Sequence, residues 1–270
     1  MLKKSIIILV VITSAFNSSA QGTFVTNAKL LKSVTSNELN VVIPDNKYGE
    51  QLREVVKEYW TLTKYKFITE QELESIEDKK EINLLGSFKG TFMAHSYELS
   101  NIPFLGVVNK YSSRGKYSYQ KKNIAAHVLL PLETIADEDL KTVLIMHVKS
   151  IQLLIKTGGM KQWYGPMLKS RKEVKNKTVI ICKDDLDGAL TNLKEKYSGK
   201  IKVVEKSEYN KLILNDKKSL FLMSLKDDSM YNFLSIISSE GVVFWTDLNH
   251  SAAKKGWDKE FLIRFFKTLK

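Results

Sequence analysis

One kind of stretch occurs twice in this chain and constrains its folding more than any other feature. It is an apolar, β-rich run that breaks at a polar turn and passes into a helical pattern. Residues 40–52 read NVVIPDNKYGEQL, and residues 178–190 read TVIICKDDLDGAL. In the first copy Leu52, Val55, Val56 and Tyr59 fall on one helical face; in the second, Leu186, Leu190, Leu193 and Tyr197 do the same. Set on this match, Val41 corresponds to Val179 and Tyr59 to Tyr197, both pairs 138 residues apart. A self-similar period of this length predicts one folded unit present twice.

The match extends along the chain. YKFITEQEL (65–73) parallels IKVVEKSEY (201–209), a short strand followed by an acidic helix start. Thr69 with Glu72 has the spacing of a capping box. LLGSFKG (84–90) parallels FLMSLKD (221–227) as a third, buried strand, and IPFLGVVNKY (102–111) parallels ISSEGVVFWT (237–246), which pairs Gly106 with Gly241. Each copy closes with a helix, the first from about Asp137 to Lys156, ended by Gly158 and Gly159, and the second from about Trp257 onward. The predicted fold class is therefore α/β with mixed sheets, in two similar repeats ordered strand, helix, strand, helix, strand, hairpin, helix. The repeats take residues 40–159 and 178–270, after a lead-in over 21–39, with the basic segment 160–177 between them. The helix at 137–156 is apolar nearly all round but is interrupted by Lys141, His147 and Lys149. It reads as a helix buried between two lobes, not as a membrane span.

Residues 1–20 have the form of a secretory signal peptide. Lys3 and Lys4 precede the apolar SIIILVVITSAF, and Ser18 and Ala20 supply small residues before Gln21. The expected product is exported, periplasmic or secreted, with no transmembrane span in the mature chain. The ending SSAQ resembles that of exported proteins of Gram-negative bacteria. Cys182 is the single cysteine, so no intramolecular disulfide is available and the core must supply the stability. The chain carries a formal net charge of +12, which becomes +10 (40 basic against 30 acidic residues) without Lys3 and Lys4. This favours anionic surfaces without choosing among them.

The acidic turn of the second copy, IICKDDLDGAL, resembles the opening loop of haloacid-dehalogenase-type phosphatases. That resemblance implies Asp185 as nucleophile, Asp187 as acid/base and a magnesium ion between them and a phosphate. The sequence departs from the pattern in two ways: Ala189 stands where that family places Thr, and only 85 residues follow Asp185. In the first copy the turn is kept but the acid pair is lost. A helix start calls for Asp or Asn on backbone grounds alone, so Asn46 and Asp184 or Asp185 are expected to act as caps. The chain as a whole resembles duplicated α/β exported bacterial proteins of uncharacterised function, a resemblance that transfers no site residues.

His95, His127, His147 and His250 form no metal-binding spacing, and no serine elbow, phosphate loop or zinc motif occurs. No catalytic residue, cofactor or metal site is assigned. The basic, aromatic stretch KYSSRGKYSYQKK offers Arg114, Lys116, Tyr117, Tyr119, Lys121 and Lys122 to an anionic partner. A sugar polymer or lipid head group suits an exported protein better than nucleic acid does. The last helix sets Trp257, Phe261, Leu262 and Phe265 on one face and is read as core packing. The leading expectation is a non-catalytic envelope binding protein. Its ligand would lie between the lobes near Asp45, Asn46, Tyr48, Asp184, Asp185 and Asp187, where strand ends and helix starts converge. The alternatives are a metal-assisted hydrolase using Asp185 and Asp187, and a structural or assembly protein of the envelope.

Overall fold

The computed structural model describes residues 28–75, 82–94, 97–109, 118–120, 123–157, 176–185, 200–226 and 231–250. The signal-like segment, Gly158 and Gly159, most of the basic linker and the last helix lie outside these residues, as do His95 and the helical stretch from Leu186 to Tyr197. The fold is mixed α/β, with two mixed sheets and five α-helices among the described residues.

The first sheet begins after helix α1 (Ala28–Ser36). Strand β1 (Leu39–Ile43) leads into α2 (Lys47–Tyr59), and β2 (Tyr65–Thr69) into the short α3 (Glu70–Glu74). Strands β3 (Asn83–Ala94) and β4 (Tyr97–Asn109) form a long antiparallel ladder, followed by β5 (Ser118–Gln120), β6 (Ile124–Leu129) and α4 (Asp137–Lys156). The strand order is β2-β1-β3-β4-β6, with β5 paired to the far end of β3. Of the predicted caps, those at Asn46 and Thr69 form, and the helix start that Asp184 or Asp185 would cap lies outside the described residues. The Asn46 side chain accepts from the Gly49 N–H at 3.0 Å, and Thr69 and Glu72 complete a capping box at the start of α3.

The second sheet holds β7 (Thr178–Cys182), β8 (Lys200–Val204), β9 (Leu220–Lys226), β10 (Tyr231–Ser238) and β11 (Val243–His250), with α5 (Lys206–Asn215) joining β8 to β9. Its order is β11-β10-β9-β7-β8. In both sheets the first strand lies between two parallel neighbours, and the remaining strands of the path add on antiparallel.

Strand register departs from the sequence match in two places. Val179 sits opposite Ile201 and Leu220, as Leu39 sits opposite Tyr65 and Asn83. On the sequence match of Tyr65 with Ile201, register would set Val179 against Leu39, two residues before Val41. The apolar run is uniform enough to slide by one full pleat without changing which side chains face the core. Gly106 and Gly241 are not equivalent either: Gly106 lies inside β4 opposite Gly86, whereas Gly241 is in the β10–β11 turn with φ +82°. The basic stretch 110–122 contains β5.

Helix α4 holds the two sheets together. Leu144, Val148, Ile151 and Leu154 are fully buried and pack with β1, α2 and β6. Met146, also fully buried, belongs instead to the cluster around Ile180, Phe221 and Tyr209 on the second sheet. Leu225 packs against the clusters of both sheets. An exposed helix presents one apolar stripe; a helix loaded on two sides is apolar nearly all round, which accounts for the composition of 137–156. Among the described residues no helix is long and apolar enough to cross a membrane.

Candidate functional site

Two helix faces and one sheet edge enclose a cleft of about 210 Å³. From α4 come Asp139, Thr142, Val143 and Met146, and from α5 come Lys206, Tyr209, Asn210 and Ile213. Each set has the spacing i, i+3, i+4, i+7, a single stripe along its helix. The sheet contributes Cys182 at the end of β7, Asp184 and Asp185 just beyond it, and Met223 to Leu225 of β9. The segment from Thr134 to Ala136 closes one end. β7 lies between β8 and β9 and connects toward β8, while the chain returns across it to reach β9. The gap at the C-terminal ends of β7 and β9 is the topological switch point of the sheet, where α/β folds place ligands.

The rim is polar. Lys206 Nζ lies 2.5 Å from Asp139 Oδ2, and Asn210 Nδ2 donates to Asp139 Oδ1 at 2.9 Å. The bond to Asp139 is the main reason the Lys206 ammonium is held above its ordinary range; partial burial opposes it. The floor is apolar and sulfur-rich, with Met146, Met223, Ile213 and Cys182. Cys182 is 4% exposed. Burial pushes its thiol up in pKa, the Asp184 N–H opposes this, and the Asp185 and Asp184 carboxylates add to it. Tyr209 is buried and donates from its hydroxyl to the Leu222 carbonyl at 2.6 Å. Its pKa is raised well above the ordinary value by burial first and by Asp185 next. At neutral pH the thiol and the phenol are therefore both protonated, and neither is an activated nucleophile or base.

The two turns singled out from the sequence are not brought together. Asp184 and Asp185 line the cleft, whereas Asp45, Asn46 and Tyr48 are absent from its lining. Asp45 and Asn46 are exposed, and Asn46 is occupied in capping α2. Tyr48 is 8% exposed and belongs to the first sheet's core. Burial raises its phenol pKa, with Ser87 pulling the other way. Tyr48 lies just beyond the end of β1, and Ser87 lies within β3. Asp187, Arg114, Lys116, Tyr117, Lys121 and Lys122 lie outside the described residues; Tyr119 is in β5, paired with Gly90.

His147 is buried, with Nδ1 2.7 Å from the Val143 carbonyl and Nε2 2.9 Å from the Leu129 carbonyl, and His127 is a buried residue of β6 against Phe104. His250 belongs to β11. Among the described residues no group of three or more His, Cys, Asp or Glu side chains is placed to hold a metal ion. Sequence reasoning missed the α4 and α5 contributions to the cleft. The available signal was a polar residue heading each stripe, Asp139 and Lys206, and that pattern also marks any ordinary amphipathic helix. Comparison with family models, curated proteins and solved structures finds no match to this chain.

Proposed function

We propose that the chain is an exported envelope protein that binds a small ligand, without transforming it, in the cleft between α4, α5 and the β7–β9 edge. The observation that carries this reading is the position of the cleft at a sheet switch point, walled by two helix stripes that converge on a few polar groups. The protonated states of Cys182 and Tyr209 favour binding over turnover. The common strand order of the two sheets supports descent from a doubled unit.

The test is a thermal-shift screen of sugars, nucleotides, metal ions and soluble envelope polymers against the full chain and its Thr142→Trp variant, which fills the cleft from α4. A compound that stabilises the first and not the second supports the reading. Stabilisation that is equal in both, or none at all, overturns it. Export is tested separately by N-terminal sequencing of protein recovered from the cell envelope, with Gln21 as the expected first residue.

The hydrolase alternative draws on Asp185, which lines the same cleft. Phosphatase activity that requires magnesium and disappears in Asp185→Asn would replace the binding reading.

A further inference from the structure

We infer that Cys182, Met146 and Met223 form a site for a soft monovalent metal ion, Cu(I), at the floor of the cleft. This rests on the reading of the cleft as a binding site, and it names what the site would take.

The topology sets two of the sulfur donors side by side. Strands β7 and β9 pair in parallel, with Ile180 opposite Phe221 and Ile181 opposite Leu222. Cys182 and Met223 are the next residues along each strand. Ile180, Cys182, Phe221 and Met223 belong to one buried cluster, so the two sulfur side chains leave the same face of the sheet. Neighbouring strands lie about 4.8 Å apart, and a metal–thiolate bond is about 2.3 Å long. Two such bonds span that gap. Met146 joins the same cluster from α4, and all three residues line the cleft. A methionine side chain has three rotatable bonds, so its sulfur can turn to an ion without moving the helix.

Donor type selects the ion. Thiolate and thioether sulfur favour Cu(I), whereas imidazole suits zinc and carboxylate suits magnesium or calcium. Among the described residues no group of three or more His, Cys, Asp or Glu side chains is placed to hold a metal ion. The sulfur trio lies outside that set of donors. Its charge fits as well. One thiolate and two neutral thioethers carry a single negative charge, which a monovalent ion cancels within the site. That neutrality matters beside Ile180, Ile213 and Phe221, where an uncompensated charge would be costly. Met146 is fully buried, Cys182 is 4% exposed and Met223 8%, so the shell is dry and disfavours Cu(II), which prefers nitrogen and oxygen donors. Binding exchanges the thiol proton for the metal ion and releases it to solvent, with no change of oxidation state.

The experiment titrates the full chain, without oxygen, into the coloured Cu(I) chelate of bathocuproine disulfonate and follows loss of the colour. One ion per chain is expected. Met146→Leu and Met223→Leu are volume-conserving swaps that cores accept. Each should weaken binding about tenfold, and Cys182→Ala about a hundredfold. Circular dichroism checks the fold of every variant. X-ray absorption at the copper edge should show three sulfur neighbours in the wild-type chain and two in Met223→Leu; this comparison decides the matter if Met146→Leu does not fold. Zn(II) should not displace the copper. Equal Cu(I) affinity in the wild-type chain and the methionine variants overturns the site, because the ion then rests on the thiol alone or lies elsewhere. Nitrogen or oxygen neighbours in place of sulfur, or displacement by Zn(II), overturn the soft class. No uptake of Cu(I), while another compound stabilises the wild-type chain and not Thr142→Trp, overturns the metal site and leaves the cleft as a binding site. No uptake and no such compound overturns both proposals.

Discussion

The hydroxyl of Ser150, at the middle of α4, donates to the carbonyl of Gly241 at 3.0 Å, and so fastens the β10–β11 turn to the helix between the sheets. One residue earlier, Lys149 donates from its ammonium to the Ser239 carbonyl at 2.9 Å. The turn thus reaches α4 through two side-chain to backbone bonds, and Gly241 makes the approach close enough for both.

Gly241 adopts φ +82°, and a methyl group on it would lie 2.8 Å from both Lys149 Cβ and the Ser150 nitrogen. Backbone strain and steric contact with helix backbone therefore act together. Gly241→Ala is expected to cost about 2–4 kcal/mol, read as a lowered urea midpoint. Ser150→Ala removes one buried hydrogen bond and should cost only about 1–2 kcal/mol. Equal costs for the two would show that the turn moves away from the helix without strain.

Asn46 closes the start of α2 through the Gly49 N–H and is absent from the lining of the cleft. Asn46→Ala should lower stability by about 1 kcal/mol. It should leave ligand affinity at the cleft unchanged. A change in affinity would mean that the first turn, contrary to its placement, communicates with the site.

His147 supplies a pH dependence whose sign follows from its surroundings. Burial lowers its pKa below the ordinary value of 6.5, and the Leu129 and Val143 carbonyls only partly oppose this. The folded state keeps the ring neutral at a pH where the unfolded chain has begun to take up a proton. Its contribution is thus intact above about pH 6.5 and is lost as pH falls from there through the folded pKa. The slope is at most about 1.4 kcal/mol per pH unit. Urea midpoints from pH 7.5 to 5 should fall more steeply in the wild-type chain than in His147→Gln. Identical slopes would place the acid sensitivity in other groups.

How far the sequence could be read depended on the range over which each signal acts. The helix at 137–156 was visible to its ends, because its acidic first turn and its apolar density are local properties of one segment. The caps at Asn46 and Thr69 were equally local. The offset between β1 and β7 was missed because Val41, Val42, Val179 and Ile180 are interchangeable as sheet-core residues, and only hydrogen-bonded register distinguishes them. Strand β5 was missed because Ser118–Gln120 carries no apolar alternation of its own and pairs with β3 only at its far end. The cleft was half visible. Asp184 and Asp185 stood out as an acidic turn, but Asp139 and Lys206 acquire their meaning only when α4 and α5 pack side by side.

The pairing of Asp139 with Lys206 yields the last prediction. The Asp139 side chain is 17% exposed and that of Lys206 39%, so the pair lies between the surface and buried regimes. An exposed ion pair contributes about 0.2–1 kcal/mol, and partial desolvation strengthens the attraction while adding a cost for each charge. The coupling energy from a cycle of Asp139→Ala, Lys206→Ala and the double variant should come to about 1 kcal/mol and weaken in salt. Asp139→Ala alone should cost more than Lys206→Ala, because it also removes the acceptor of Asn210 and leaves an ammonium inside the cleft. Urea midpoints of the wild-type chain and the three variants, at low and at high salt, check this; a coupling energy indistinguishable from zero, or equal costs for the two single variants, would show that the pair adds nothing to stability beyond its separate side chains.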